Sequence, residues 1–350
     1  MKKIPFVKYT MHGNNFVIVD EIDKSLLTES EKFRFAYQAT NMNYGVGSDN
    51  FLVIQPWASE TLEEIKDFRN YWKMFPSLGA DEAGSGDAEY IFRMFEPDGK
   101  EAFSCGNGLI CISDYLYQKY DVESARMMTE IPTRSPKAVT IGTDSKEELN
   151  WANMGPPRIS SNTNTVLSHK IEPIDIQIKL PENGLSNSEK EISIKFSGYL
   201  VFTGEPHLVI FTELGFSPAK MASLIFDSSS MRDSGALLNK IGRSLNEDTQ
   251  RFPEGININF VRLNSGVLEY RTFERGINHE TQACGTGAVA VSFVAKHLNL
   301  ISTDKITIWP YLSRRHNPNA QICVRKDKDD YILYGKPSLL FDGNFFVEEG

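Results

Sequence analysis

Apolar residues along this chain come mostly in short runs that alternate with polar positions or are rich in β-branched side chains, and that spacing predicts strands. Phe6 to Tyr9 and Phe16 to Val19 flank a turn at Met11-His12-Gly13-Asn14-Asn15, in which His12 is a turn residue. Further strands are expected at Lys137 to Ile141, Asp175 to Lys179, Glu191 to Phe196, Tyr199 to Phe202 and Gln321 to Val324. Helical spacing appears in fewer places. Glu29 to Ala39 reads as an amphipathic helix, and Leu62, Ile65, Phe68 and Trp72 recur as one face of a helix laid on the body. After that helix, Gly79-Ala80-Asp81 to Gly84-Ser85-Gly86 reads as a mobile loop. Leu109 to Tyr117, broken only by Ser113 and Asp114, and Ala288 to Leu298 carry so little polar surface that each predicts a helix buried on most sides.

Those two apolar helices share an entrance. Cys105-Gly106-Asn107-Gly108 precedes the first, and Cys284-Gly285-Thr286-Gly287 precedes the second. Glycines after the cysteine let backbone N–H groups turn towards a ligand, and the helix adds its positive end. Each turn is therefore both an anion cradle and a place where a thiol ionises easily. Two such turns facing each other would hold a carboxylate between two thiols. That suits inversion of a carbon carrying a carboxylate: one thiolate removes the α-proton, the opposite thiol returns one, and no cofactor is required.

Composition narrows the rest. A chain of 350 residues has room for two domains of ordinary size. A net charge of −9 argues against nucleic acid or an anionic membrane as a general partner. Apolar runs stay below membrane-spanning length, and Pro5, Lys8 and His12 interrupt the stretch after Met1-Lys2-Lys3, so a signal peptide is not expected. A soluble cytoplasmic protein is expected. The four cysteines form no Cys-x-x-Cys pair, so neither a metal site nor a disulfide framework is indicated. Cys111 and Cys323 read as small buried hydrophobes.

At its two cysteine turns the chain resembles the diaminopimelate epimerase family, whose signatures are a Cys-Gly-Asn-Gly turn and an Ala-Cys-Gly-Thr-Gly turn, both intact here. The resemblance runs from Phe6 to Gly343 through Gly13-Asn14, Gly45 to Asp49, Arg93 to Gly99, Gly204-Glu205-Pro206-His207, Phe252 to Asn257 and Glu274-Arg275. It implies an α+β fold of two similar domains, each a strand-rich barrel around a central buried helix, with the active site between them. The expected domains are 1–135, to which 338–350 return, and 136–337. The implied activity is cofactor-independent epimerisation of LL- to meso-diaminopimelate, a step towards lysine and peptidoglycan precursors. The implied partner is a small amino-acid substrate, and the reading leaves room for a homodimer.

Carried over residue by residue, the resemblance makes Cys105 and Cys284 the acid/base pair, with His207 and Glu274 setting their ionisation, His207 as an imidazolium that favours thiolate. Asn14, Asn50, Asn257 and Arg275 become substrate contacts, and Gly106, Asn107, Gly285 and Thr286 offer N–H groups to the reacting carboxylate. The chain also departs from the family. Residues of roughly 56 to 90 are an insertion, Ile110 replaces an arginine, and one extra residue separates Glu274-Arg275 from Cys284. Glu96 and Glu205 stand at two asparagine positions that hold the distal end of the substrate. These glutamates either take the distal ammonium of diaminopimelate while Arg275 takes its carboxylate, or they turn the site towards lysine, ornithine or histidine. A non-catalytic amino-acid-binding protein, or a related isomerase scaffold that works without thiols, is the remaining alternative, and both cysteines speak against each.

Overall fold

A two-residue loop starts the fold: His12 and Gly13 both take positive φ (54° and 87°), the turn that matches the twist of a tight hairpin. It folds β1 (Lys2–Met11) antiparallel onto β2 (Asn14–Asp20). The computed structural model describes residues 1–68, 88–129, 131, 136–159, 171–181, 191–217, 223–226, 231–253 and 255–347. The loop expected around Gly79 to Gly86, and Trp72, lie outside them.

The described chain forms two compact units, Met1–Gly155 with Ile332–Gly350, and Pro156–Tyr331, in an α+β architecture. In the first, α1 (Glu29–Ala39) begins at a capping box made by Thr28 and Glu31 and leads to β3 (Asn50–Pro56), parallel to β2. Next come α2 (Ser59–Phe68), β4 (Tyr90–Phe95) antiparallel to β3, and the short β5 (Glu101–Ala102) beside β4. The buried helix α3 (Gly106–Tyr120) leads to β6 (Ser124–Thr129), parallel to β4, and then to β7 (Lys137–Asp144) and β8 (Leu149–Asn153). Leu109, Ile110, Cys111 and Ile112 are wholly buried, and α3 packs against β1 as well as β7 and β8. Those strands lie towards opposite ends of the row, so the sheet curls around the helix.

The second unit repeats the plan. Its strands are β9 (Arg158–Ile159), β10 (Ile174–Pro181), β11 (Glu191–Phe202), β12 (Pro206–Phe211), β13 (Asn257–Asn264), β14 (Val267–Glu274), β15 (His279–Thr281), β16 (Lys305–Pro310) and β17 (Ile322–Asp327). Helix α4 (Met231–Glu247) links β12 to β13, the buried α5 (Gly285–His297) links β15 to β16, and α6 (Tyr311–Arg314) follows β16. From β11 on, the pairings run antiparallel, parallel, antiparallel, a short antiparallel branch, parallel, antiparallel, the order found from β1 to β7. The chain then re-enters the first unit: β18 (Asp330–Gly335) pairs with β8, and β19 (Ser338–Val347) with β1. Residues 136–155, assigned from sequence to the second domain, thus pack with the first, because β7 hydrogen-bonds to β6 and α3 rests on both β7 and β8.

One buried arginine in each unit fixes the strand before the cysteine. Arg93-Met94-Phe95-Glu96 in β4 and after it corresponds to Arg271-Thr272-Phe273-Glu274 in β14. Arg93 binds Glu29 (2.6 and 2.7 Å) and Glu101 (2.9 Å), while Arg271 binds Glu280 (2.6 and 2.5 Å) and the carbonyl of Ile225. Glu101 and Glu280 both lie four residues before a cysteine, so each ion pair anchors the approach to its turn. One difference between the units lies in a hairpin. Ser265 and Gly266 alone join β13 to β14, whereas residues 57–89 join β3 to β4, so the insertion occupies a hairpin loop. Leu62 and Ile65 of α2 are buried against Ile91, Met128 and Ile131, as the helical spacing predicts.

Candidate active site

Each cysteine is the extended residue that caps a buried helix, Cys105 (φ −145°, ψ 115°) for α3 and Cys284 (φ −124°, ψ 113°) for α5. The first N–H groups of a helix have no partner within it, so both turns present donors beside a sulfur. The Gly108 N–H is directed at Sγ of Cys105, at 3.4 Å.

In the first unit Asn107 Nδ2 donates to Asn14 Oδ1 (3.3 Å), and Asn14 Nδ2 donates to Asp49 Oδ2 (3.0 Å). Asp49 also accepts from the Asn15 N–H (2.7 Å), which locks the amide of Asn14 in place. Asn50 Nδ2 donates to Glu96 Oε2 (3.0 Å). Asn14 and Asn50 open two parallel strands and Glu96 follows an antiparallel one, so the three sit at one end of the sheet. The structure therefore brings Cys105, Asn107 and Asn14 together and joins Asn50 to Glu96. Ile110, where the family has arginine, lies buried within α3.

In the second unit Tyr270 clamps the turn: its hydroxyl accepts from the Cys284 N–H (2.8 Å) and donates to the Cys284 carbonyl (3.0 Å). Cys284 Sγ lies 3.3 Å from Thr286 Oγ1, which lies 3.0 Å from His207 Nε2; His207 Nδ1 lies 3.0 Å from Asn259 Nδ2. His207 has no exposed surface. Burial, reinforced by the positive charge of Arg275, lowers its pKa to about 3. The expected imidazolium is therefore corrected: the ring is neutral at ordinary pH and reaches Cys284 through Thr286.

Glu205 does not face solvent. It is 5% exposed, and its Oε2 accepts from Nε and Nη2 of Arg275 (2.8 and 2.5 Å). Asn257 Oδ1 accepts from the Arg275 N–H (2.9 Å), and Glu274 accepts from the Thr281 hydroxyl. Asp49, Asn259, Tyr270 and Thr281 are absent from the sequence-derived site. Asn259 left a signal: Asn257-Ile258-Asn259-Phe260 alternates polar and apolar residues, which marks one hydrogen-bonding face. Among the described residues no cluster of three or more His, Cys, Asp or Glu side chains could hold a metal, and no helix is long and apolar enough to cross a membrane.

Comparison with known proteins adds an independent line. A sequence profile described as diaminopimelate epimerase matches residues 6–159. The chain is 30% identical to a diaminopimelate epimerase of Methanothrix thermoacetophila over 86% of its own length and 84% of the relative's. It is 28% identical to one of Archaeoglobus fulgidus over 99% of its own length and 98% of the relative's. Among solved structures, a probable proline racemase from Agrobacterium radiobacter K84 is similar with a TM-score of 0.61 at 11% identity, covering 99% of this chain and 93% of that one. That likeness is one of fold.

Proposed function

Because this chain belongs to the diaminopimelate epimerase family and is an isomerase, we propose that it interconverts LL- and meso-diaminopimelate by passing a proton between two cysteines, without a cofactor. The thiolate of one cysteine takes the α-proton and the thiol of the other delivers one to the opposite face. Negative charge develops on the substrate carboxylate as the proton leaves, and the N–H groups of Gly106, Asn107, Gly285 and Thr286 at the two helix starts answer it. A thiol is acid and base enough to do this alone, provided it stays reduced, as it does in the cytoplasm. Arg275 takes the distal carboxylate, with Glu205 and Glu96 on the distal ammonium. The product then serves reactions that build lysine and cell-wall precursors.

The observation that carries the reading is the duplicated turn, a cysteine capping a buried helix in each of two units of one plan. Its test is NMR of LL-diaminopimelate in deuterated water. The native protein introduces deuterium at one α-carbon, and Cys105→Ala or Cys284→Ala slows inversion by roughly 10³-fold or more. A well-folded single variant that still inverts would remove the two-base mechanism. Faster turnover of lysine, ornithine or histidine would overturn the substrate.

A further inference from the structure

The two cysteine turns are built alike but backed differently. In the first unit Phe16 pairs with Asn50 and Phe51 with Phe95, and in the second His207 pairs with Asn257 and Ile258 with Phe273. Counting along the strands from those pairs, His207 stands where Phe16 does, Asn259 where Leu52 does, and Tyr270 where Phe92 does. Packing agrees: a Cβ on Gly108 would meet Leu52, Phe92 and Cys105, and a Cβ on Gly287 would meet Asn259 and Cys284. Three apolar positions behind the first turn are thus polar behind the second, and all three are buried. Burying polar side chains is costly unless they are hydrogen-bonded, and these make bonds that lead to Cys284.

The chain of bonds has a direction. Asn259 Nδ2 faces His207 Nδ1, and an amide nitrogen only donates, so Nδ1 holds a lone pair and the neutral ring carries its hydrogen on Nε2. Nε2–H then donates to Thr286 Oγ1, leaving the Thr286 hydroxyl hydrogen to turn towards Sγ of Cys284. The Oδ1 of Asn259 is buried beside Gly287 and has no hydrogen-bond partner among the described residues.

We propose that Asn259 is a positioning residue that fixes the Nε2–H tautomer of His207, so that Thr286 donates to the sulfur of Cys284 and Cys284 holds the thiolate of the resting pair. This rests on the reading of Cys105 and Cys284 as that pair. Tyr270, held protonated by burial, Glu274 beyond it on β14, Arg275, whose charge acts on His207, and Glu205, which pairs with Arg275, are further ionisable groups around this turn. None of them is altered by changing Asn259 to an apolar residue.

The test is alkylation of the free protein by iodoacetamide across a range of pH, followed at each cysteine by peptide mass spectrometry. It needs no turnover, so an error in the assigned substrate leaves it readable. In the native protein the midpoint for Cys284 lies below that for Cys105. In Asn259→Leu, which copies Leu52, it rises by about one pH unit, a roughly tenfold loss of thiolate below the midpoint, while that of Cys105 stays in place. Thr286→Val, which cuts the last link, produces the same rise. If both variants fold and Cys284 keeps its native midpoint, or if both cysteines shift together, the proposal is wrong.

Discussion

A histidine with no exposed surface is a pH-sensitive element of stability before it is anything else. The folded pKa of His207, about 3, lies below its ordinary 6.5, so at low pH the unfolded chain takes up a proton that the folded one refuses. Its contribution is complete above pH 6.5 and is lost as the pH falls towards 3, by about 1.4 kcal/mol per unit within that window. Denaturant titrations of the native protein should show this slope, and His207→Gln should flatten it. The Glu205 and Arg275 pair gives a second prediction. Glu205 holds the guanidinium of Arg275 in place and, in the proposed reading, meets the distal ammonium, so Glu205→Asn should raise KM for diaminopimelate by roughly 3- to 10-fold with kcat little changed. A lowered KM would take Glu205 off the ammonium. Neither feature was legible in the motif around His207. Charge state follows from burial, and the partners come from elsewhere: Asn259 is 52 residues away and Arg275 is 70 residues from Glu205.

Elements near the site are held by buried ion pairs more than by propensity. β5 and β15 have two and three residues, too short to persist by strand pairing alone, and Arg93 and Arg271 tie them down through Glu101 and Glu280. Removing one partner leaves a buried charge uncompensated, so Arg271→Met should cost about 3 kcal/mol or more. Removing exposed Asp304, which binds Lys296, should leave stability almost unchanged. Equilibrium denaturation separates the two. At this scale the sequence was most readable: α1, the first hairpin and both cysteine turns follow from residues within a turn of one another, and the apolar runs after each cysteine became the buried α3 and α5. The assignment of β7 and β8 was not, because it depends on pairing to β6 and to a strand that arrives from near the end of the chain.

At the scale of the molecule, the proposed chemistry asks two thiols on different units to reach one carbon. Mild oxidation of the substrate-free enzyme should then join Cys105 to Cys284 and stop turnover, with reductant restoring it and bound substrate protecting. Peptide mapping that finds the linkage in a fully active sample would contradict the mechanism. The path of the chain between the units carries a separate consequence. Asn153 at the end of β8 lies directly opposite Ile332 in β18, so the chain leaves the first unit and returns to it at neighbouring points. This is a hairpin whose loop is an entire second unit, and β1 must wait for β19, the last strand made, before it gains that neighbour. During synthesis the second unit can therefore complete its contacts while the first is still open, and replacing residues 154–331 by Asn-Gly should let the first unit close as a small protein of its own.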